Sequence, residues 1–345
     1  MALPSLLLDL HRGGGLAKLP AVLWCSTHSS SILDFHARLA RQSGVQVKLV
    51  SSLDAHAARD FLRLLADGEG KKRPVYPEGV ASLDAQDLLQ GLLSDGDIRV
   101  VLQPQVDLAS GRIVGAEALA RWKHPELGEI PPSMFVPLAN KVGLNVLLFH
   151  CIEAKVVAVL RELGQHGISV PISVNASADT LCTVDLAKRL ERRLKCAGVH
   201  SSLFKIELTE DVSVTDTLSL SAAISWLRLR GFHVSMDDFG CGAATLDLLT
   251  KLPFSELKID GHFVREMRRN QGCEAAVSTA ISLGRVMNMK VVAEGVETPE
   301  LAELLLSQGC EIGQGYALSP PLEVDVFISA LFSNTRERPA EALLQ

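Results

Sequence analysis

The stretch VSMDDFGCGAATLDLL, residues 234–249, decides the fold and raises the first question about function. A short apolar run ends in two adjacent carboxylates, Asp237 and Asp238, and a glycine-rich loop follows before the apolar pattern resumes. Two neighbouring acids repel each other, and an apolar core does not accommodate unpaired charge. The end of this strand therefore predicts a site that needs concentrated negative charge.

The composition is that of a folded protein with one large domain and a smaller one. The chain has 345 residues, 47% of them hydrophobic and 21% charged, so we expect it to bury a sizeable core. A net charge of −6 argues against a nucleic-acid polymer as the partner. Seven cysteines, an odd number, argue against a disulfide framework, and we expect a reducing cytoplasm. The sequence predicts neither a signal peptide nor a membrane span, so no membrane partner is expected.

A glycine- and proline-rich segment, GEGKKRPVYPEG at residues 68–79, predicts a linker between the two domains. We predict a small α/β unit at residues 1–67, a linker and connecting helix at 68–95, a large domain at 96–334 and a flexible tail at 335–345. The small unit contains strand patterns at SLLLDL, AVLWC and VQVKLVS, with helical patterns over residues 31–42 and 54–66.

The large domain alternates strand and helix patterns. Helical patterns cover residues 82–94, 146–163, 178–196, 217–230 and 273–287. Strand patterns occur at RVVLQPQV, RIVGAEALARW, VPISVNAS, LFKIELTE, FHVSMDD, ELKID, KVVAEG and EIGQGYAL. Eight strands over about 235 residues predict an α/β (β/α)8 barrel of the TIM type. The first connection, DLASGR, is too short for a crossover helix. It predicts an antiparallel first strand.

Polar residues follow the strands toward their C-terminal ends. These ends converge on one face of a barrel, where active sites lie. The residues concerned are Glu117, Asn175, Glu207, Asp237, Asp238, Lys258, Asp260, Glu294, Glu297 and Gln314. So many carboxylates cannot all ionise together without cations between them, and oxygen ligands suit Mg²⁺ or Mn²⁺. The tandem acids suggest two ions, which is the usual arrangement for phosphodiester hydrolysis.

Residues 98–332 contain a series of separate motifs: GAEALARWKHPELGEIPPSMFVPLA, VNAS, IELTED, MDDFGCG, LKID, VVAEGVET and GCEIGQGYALS. In order and spacing they resemble the EAL-domain phosphodiesterases, which hydrolyse cyclic di-GMP to linear pGpG. The resemblance implies a barrel with a reversed first strand, two Mg²⁺ or Mn²⁺ ions per active site, cyclic di-GMP as the ligand and a homodimer formed through the barrel.

The same resemblance implies a role for each matching residue. The first metal ion would be held by Glu117, Asn175, Glu207 and Asp237. The second would be held by Asp237, Asp238 and Glu294. Catalytic roles around the nucleophilic water fall to Lys258, Gln314 and Glu297, and Glu210 would anchor the loop after Asp238. Substrate contacts would come from Gln103, Leu119, Arg121 and Asp260.

Five of these residues have a purely structural alternative. Lys258 could be a structural residue alone, although a lysine that faces the barrel interior is costly without acids nearby. Gln103 could cap the hairpin of the first two strands, and Arg121 could form a surface salt bridge. Asp260 could be the N-cap of a helix, which is compatible with a role in the site. Glu210 could be an acid in the first turn of a helix.

The loop after Asp238 departs from the family pattern, which usually reads FGTGYSSL. This chain has FGCGAATL, with Cys241, Ala243 and Ala244 at the altered positions. The family associates that loop with metal binding and dimer contacts. Asn140 also replaces a usual acid, and Pro320 a usual arginine. The departures leave every expected metal ligand in place.

The N-terminal unit resembles the last half of a response-regulator receiver domain. Asp9 matches the phosphate-accepting position, and Ser26 or Thr27 matches the switch hydroxyl. The acidic pair of a receiver is absent, and Ser51 and Ser52 stand where a lysine-proline pair is expected. The unit is interpreted as a remnant for docking a protein partner or for dimerisation. A working receiver and an unrelated α/β element are the alternatives.

Three functions remain open from the sequence. The first is an active cyclic di-GMP phosphodiesterase. The second is a catalytically weak EAL protein that binds cyclic di-GMP or a protein and acts as a regulator. The third is a metal phosphodiesterase for another nucleotide.

Overall fold

The computed structural model describes residues 21–25, 46–50, 83–94, 96–208, 216–240 and 245–336. The chain divides into two compact units, Met1–Glu78 and Gly79–Gln345. The finer domain boundaries predicted from the sequence stay predictions.

The N-terminal unit contains two described strands, β1 (Ala21–Cys25) and β2 (Gln46–Val50). They pair in parallel, with Ala21 opposite Gln46, which confirms the strands predicted at AVLWC and VQVKLVS. The other predictions for this unit fall outside the described residues. They are the strand SLLLDL, the two helices, and the roles of Asp9, Ser26, Thr27, Ser51 and Ser52.

The second unit is built around a closed barrel of eight strands. These strands are β3 (Ile98–Asp107), β4 (Ile113–His124), β6 (Ile172–Ala176), β7 (Phe204–Leu208), β8 (His233–Phe239), β9 (Glu256–Ile259), β10 (Lys290–Ala293) and β11 (Ile312–Gly313). Their order is β3-β11-β10-β9-β8-β7-β6-β4, and pairing of β3 with β4 closes the ring. Two short strands, β5 (Gly128–Ile130) and β12 (Leu322–Glu323), pair with β4 and β3. The predicted (β/α)8 barrel is confirmed.

The first barrel strand runs against all the others, as the short DLASGR connection predicts. β3 is antiparallel to both β4 and β11, whereas the remaining neighbours in the ring are parallel. The Asp107 carboxylate accepts hydrogen bonds from the backbone N–H (2.7 Å) and the hydroxyl (2.6 Å) of Ser110, which stabilises the tight turn. Gly111 completes the turn with a positive φ of 68°.

Helices surround the barrel. They are α1 (Ala85–Leu93), α2 (Pro132–Lys141), α3 (Asn145–Gln165), α4 (Ala178–Leu181), α5 (Leu186–Ala197), α6 (Thr217–Leu229), α7 (Thr245–Lys251), α8 (Gly261–Glu266), α9 (Gln271–Val286), α10 (Pro299–Ser307) and α11 (Val324–Arg336). None of the helices in the described part of the chain combines the length and the apolar character that a membrane crossing needs.

Two predictions of element extent were wrong. The single helix expected over residues 178–196 is divided into α4 and α5. The β-branched pair Thr183 and Val184 disfavours helix, and Asp185 adopts a left-handed conformation with φ of 59°. The last barrel strand is also shorter than the EIGQGYAL pattern. After Gly313 the backbone turns to bond with Val296, whose N–H donates to the Gln314 carbonyl at 3.1 Å.

The barrel strands separate apolar and polar side chains onto opposite faces. In β7, Phe204, Ile206 and Leu208 belong to the large apolar cluster formed with the helices. The alternate residues, Lys205 and Glu207, bond across the barrel interior. Side chains alternate along a strand, so an apolar shell of strands and helices encloses a polar interior.

Because Trp122 belongs to this apolar shell and Trp226 lies at the surface, removing the two side chains should lower the free energy of unfolding by very different amounts. Trp122 is fully buried against Phe135, with ring centroids 5.8 Å apart, whereas Trp226 is 56% exposed. We expect Trp122→Ala to lower the free energy of unfolding by about 3–5 kcal/mol. The matched control, Trp226→Ala, should cost less than about 1 kcal/mol. Urea denaturation followed by far-UV circular dichroism measures both, and equal losses would contradict the assigned core.

Candidate active site

The barrel strands bring a buried lysine and several acids together at their C-terminal ends. Lys258, on β9, is 1% exposed. Its Nζ atom lies close to four carboxylates: Glu207 at 2.7 Å, Glu117 at 3.2 Å, Asp237 at 3.0 Å and Glu294 at 2.6 Å. One ammonium cannot neutralise four carboxylates, so the cluster has excess negative charge when all its acids ionise.

The tandem acids at the end of β8 reach the site because the strand is irregular there. Met236 pairs with Leu257 and Phe239 with Ile259, so β8 has one residue more than β9 across this interval. Such a bulge interrupts the alternation that would otherwise turn Asp237 and Asp238 to opposite faces. Asp238 has a positive φ of 53°, which is uncommon for a residue other than glycine and occurs often at functional sites. Oxygens of Asp237, Asp238 and Glu294 lie within 4.8 Å of one another.

The acids of the cluster differ in how readily they ionise. Burial raises the pKa of Glu294 to about 8, with Asp237 and Glu117 adding to the shift and Lys258 opposing it. Burial also raises the pKa of Asp238 to about 7, assisted by the charges of Asp237 and Asp260. The pKa of Glu117 is lowered, because Lys258, Gln314 and Asn175 together outweigh its burial.

The pKa values of Glu207 and Lys258 are both raised, but for different reasons. The pKa of Glu207 lies well above its usual value because of burial and the neighbouring acids, against the effect of Lys258. Burial alone would lower the pKa of Lys258, but the four carboxylates outweigh burial and raise it well above the usual value. Lys258 is therefore protonated throughout the physiological pH range.

Several buried oxygens in the cluster suit a divalent cation. The Asn175 amide donates to Glu117 at 2.8 Å, which leaves the Asn175 Oδ1 atom without a hydrogen-bond donor among the described residues. The Oε1 atom of Glu207 also lacks a donor there. Within the described part of the chain, Asp237 Oδ1 and Glu294 Oε1 have only their ion pairs with Lys258. A buried oxygen without a donor is costly, whereas Mg²⁺ and Mn²⁺ use oxygen ligands of this type. The donor set therefore fits a divalent metal ion.

The predicted phosphate ligand, Arg121, is half-buried and has no ion-pair partner within the described ranges. Its guanidinium donates to the backbone carbonyl of Ala120 at 2.8 Å. The nearby acids are instead bound by Arg99, which contacts Glu129 at 3.0 Å and Glu323 at 2.6 Å. The salt-bridge alternative for Arg121 is therefore not observed, and its charge remains available to an anion.

A cavity of about 390 Å³ adjoins the cluster. It is mainly apolar and is lined in part by Leu119, Val136, Asn140, Phe149 and Asn175. The structure thus places Leu119 and Asn175 on the same cavity, whose volume lies in the range of small-molecule pockets.

The remaining predicted residues lie at different distances from the cluster. Gln314 donates to Glu117 at 2.7 Å and to the Gln103 side chain at 3.3 Å, so both glutamines belong to the site. Asp260 caps α8 by accepting the backbone N–H of His262 at 2.8 Å, which confirms the N-cap interpretation. Glu297 is 55% exposed, and its contact is Arg265 at 3.8 Å. Glu210 and Cys241, Ala243 and Ala244 lie outside the described residues.

A second buried polar layer lies below the cluster, and the sequence interpretation did not include it. Its members are Gln105, Ser173, Lys205, Ser235 and Glu256. A signal was present, because four of them lie two residues before a predicted site residue on the same strand: Ser173 before Asn175, Lys205 before Glu207, Ser235 before Asp237 and Glu256 before Lys258. Residues two apart share one face of a strand.

Comparison with known proteins identifies the family of the barrel domain. The model of the EAL domain matches residues 85–321. The chain is 33% identical over 242 residues to the cyclic di-GMP phosphodiesterase RocR of Pseudomonas aeruginosa, covering 70% of this chain and 62% of the relative. It is 32% identical over 235 residues to the cyclic di-GMP phosphodiesterase PA2567 of the same species, covering 68% of this chain and 40% of the relative. The chain thus spans less than two thirds of either curated relative.

A solved structure, the MucR phosphodiesterase in complex with cyclic di-GMP, has a similar fold. The TM-score is 0.66 with 34% sequence identity, and the match covers 70% of this chain and 98% of that chain.

The raised pKa values predict that the metal-free protein becomes less stable as the pH rises. An acid with a higher pKa in the folded state binds more protons folded than unfolded between its two pKa values, so stability falls with pH there. For Glu294 this window runs from the usual 4.5 to about 8, and for Asp238 from 3.8 to about 7. We expect the melting temperature in EDTA to fall from pH 5 to pH 8.5.

Glu294→Gln should make that fall smaller, because it removes one titrating acid. Glu303→Gln, on the exposed face of α10, is the control that removes a carboxylate elsewhere. Differential scanning fluorimetry across pH checks both variants. A melting temperature that rises toward pH 8.5 in EDTA would contradict the assigned protonation.

Proposed function

The chain belongs to the EAL domain family, and from that premise we propose that it hydrolyses cyclic di-GMP to linear pGpG with Mg²⁺ or Mn²⁺. The observation that supports this most directly is the Lys258 cluster. Four carboxylates surround one ammonium, and buried oxygens without donors face the same region. The named phosphodiesterase relatives support the same activity.

The oxygen atoms that would bind metal ions divide into two sets, and Asp237 belongs to both. One ion would be held by Glu117, Asn175, Glu207 and Asp237, and the second by Asp237, Asp238 and Glu294. When bound, two such ions supply positive charge to both the attacking and the leaving oxygen of a phosphodiester. The bulge at the end of β8 supports this division, because it turns both tandem acids toward the mouth of the barrel.

Lys258 has a different role from the acids around it. The surrounding carboxylates raise its pKa well above the usual value, which favours the protonated form that donates hydrogen bonds. We assign it to orienting the nucleophilic water while it reduces repulsion among the carboxylates. Gln314 and Glu297 would support the same water, and Glu210 would anchor the loop that follows Asp238.

Substrate binding would use the groups next to the cluster. The free charge of Arg121 suits a phosphate oxygen, because a guanidinium can donate two parallel hydrogen bonds to it. The apolar cavity that contains Leu119 has room for a purine base, with Asn140 as a polar group on its wall. Gln103 and Asp260 would contact the remainder of the dinucleotide.

We also propose that the protein forms a homodimer and that it is located in the cytoplasm. The N-terminal unit would then dock a protein partner or contribute to the dimer. The altered loop positions, Cys241, Ala243 and Ala244, lie at the place where the sequence interpretation puts dimer contacts.

The proposed reaction is tested by incubating purified protein with cyclic di-GMP and either Mg²⁺ or Mn²⁺. Chromatography should show linear pGpG appearing as cyclic di-GMP is consumed, with no product in EDTA. Binding of cyclic di-GMP without product would favour the regulatory alternative, and turnover of a different cyclic dinucleotide alone would contradict the proposed substrate.

Glu117→Ala should lower turnover by more than about a hundredfold. Partners behind metal ligands commonly contribute 10–100-fold, and a ligand itself should contribute more. The fold should survive, because the substitution also removes one of four mutually repelling carboxylates. Glu153→Gln is the matched control: Glu153 is equally buried, but it contacts Arg193 on α5 at 2.6 Å, away from the cluster. Turnover by Glu117→Ala equal to that of the control would remove Glu117 from the site.

Ca²⁺ alone should support less than about one hundredth of the Mg²⁺ rate, although it should bind. Ca²⁺ takes more ligands at longer distances than Mg²⁺, and a displacement near 1 Å can cost about a hundredfold in rate. Added Ca²⁺ should therefore inhibit the Mg²⁺-supported reaction competitively. Rates with Ca²⁺ alone that approach those with Mg²⁺ would contradict the proposed metal geometry.

A further inference from the structure

A buried hydrogen-bond chain connects the lower polar layer to the cluster. At its lower end, Lys205 Nζ contacts both carboxylate oxygens of Glu256, at 2.7 and 2.8 Å. The same ammonium donates to the Gln105 side-chain oxygen at 3.0 Å. All three residues are at most 5% exposed, and they line the inner end of a cavity of about 790 Å³.

Two glutamine amides continue the chain upward. The Gln105 Nε2 atom donates to the Gln314 Oε1 atom at 3.1 Å. Gln314 Nε2 then donates to Glu117 Oε2 at 2.7 Å. Gly115 makes this path possible, because a Cβ at that position would lie 2.6 Å from the Gln105 side-chain oxygen. The absent side chain leaves the space in which the Gln105 amide lies.

The chemistry of the two ends determines which way both amides point. An ammonium has donors only, and an ionised carboxylate has acceptors only. The Gln105 oxygen must therefore face Lys205, so its N–H faces Gln314. The Gln314 oxygen must accept that bond, so its own N–H faces Glu117. Reversing either amide alone would place two donors or two acceptors against each other in a buried site, which is costly.

We propose that Lys205 and Gln105 set the direction of this chain and thereby act as positioning residues, which hold the amide N–H of Gln314 on the metal-ligand carboxylate of Glu117. The proposal rests on the proposed function in taking Glu117 as a metal ligand. With the amide reversed, the Gln314 oxygen would lie against Glu117 Oε2, and repulsion would rotate the carboxylate away from the metal position. Residues that orient metal ligands in this way tune metal affinity.

Glu256 stabilises the lower end of the chain as a permanent anion. Burial raises its pKa, but Lys205 and the hydroxyl of Ser235 together lower it by more. Ser235 donates to Glu256 at 2.6 Å and makes no hydrogen bond to either of the described residues Gln105 and Gln314. Ser235 is therefore in the same buried layer as Lys205 but outside the path that orients Gln314.

The decisive variant is Gln105→Glu, which keeps the size and shape of the side chain but replaces its donor by an acceptor. Lys205 can still donate a hydrogen bond to the side chain at position 105, but Gln314 must reverse its amide to donate to the new carboxylate. We expect the Mn²⁺ concentration that gives half-maximal thermal stabilisation, measured without substrate, to rise about tenfold. Turnover should fall by a similar factor, while KM for cyclic di-GMP stays close to that of the wild type, because Gln105 is buried away from the substrate cavity.

Ser235→Ala is the matched control, and it should lower the melting temperature without moving the Mn²⁺ midpoint. If Gln105→Glu does not fold, Gln105→Met provides the second variant, since it also removes the donor without adding charge. A Mn²⁺ midpoint unchanged from the wild type, or shifted equally by Ser235→Ala, would overturn the proposal.

The metal measurement separates this proposal from the proposed function. A protein that is inactive on cyclic di-GMP but shows the expected midpoint shift would contradict the substrate and support the positioning role. An active enzyme with no shift would contradict the positioning role alone. A wild-type protein that Mn²⁺ does not stabilise would overturn both.

Discussion

The structure depends on the contact between one buried ammonium and four carboxylates inside the barrel. Charges in a protein interior are expensive to desolvate, and their attraction compensates only when partners and hydrogen bonds are in place. Lys258 provides the partner, and Asn175 and Gln314 provide hydrogen bonds to Glu117. The remaining excess of negative charge is what makes this cluster suitable for divalent cations.

Such an interior requires rigid support from outside. The outward-facing residues of the strands and the buried faces of the helices form one apolar cluster around the barrel. In β9 the apolar residues Leu257 and Ile259 alternate with Glu256 and Lys258, so one strand contributes to both the shell and the polar interior. Burial of the shell can hold like charges in place because closely packed side chains do not move apart to relieve repulsion.

Much of this architecture could be predicted from the sequence, because period-two patterning and strand-terminal polar residues are local signals. The reversed first strand followed from the length of one connection, and the polar residues of the cluster followed from the ends of the strands. The division of helix 178–196 was missed because it depends on the left-handed conformation of Asp185. The lower layer had a local period-two signal, but its link to the cluster could not be predicted, because Gln105 and Gln314 are 209 residues apart and only closure of the barrel brings them together. The ion pair of Glu297 with Arg265, at 3.8 Å, likewise could not be predicted from the motif that contains Glu297.

The reversal of β3 explains why the two polar layers communicate through glutamines. Gln103 lies opposite Glu117 in the antiparallel pair, and Gln105 lies one pleat further from the mouth, opposite Gly115. Residues two apart on a strand are separated by about 6.5–7 Å, which a long amide side chain can span and a serine cannot. β3 also pairs with β11, whose following residue is Gln314, so the closing strand of the barrel brings the two amides side by side. The strand that closes the ring is therefore also the strand that joins Lys205 of the lower layer to the Glu117 carboxylate.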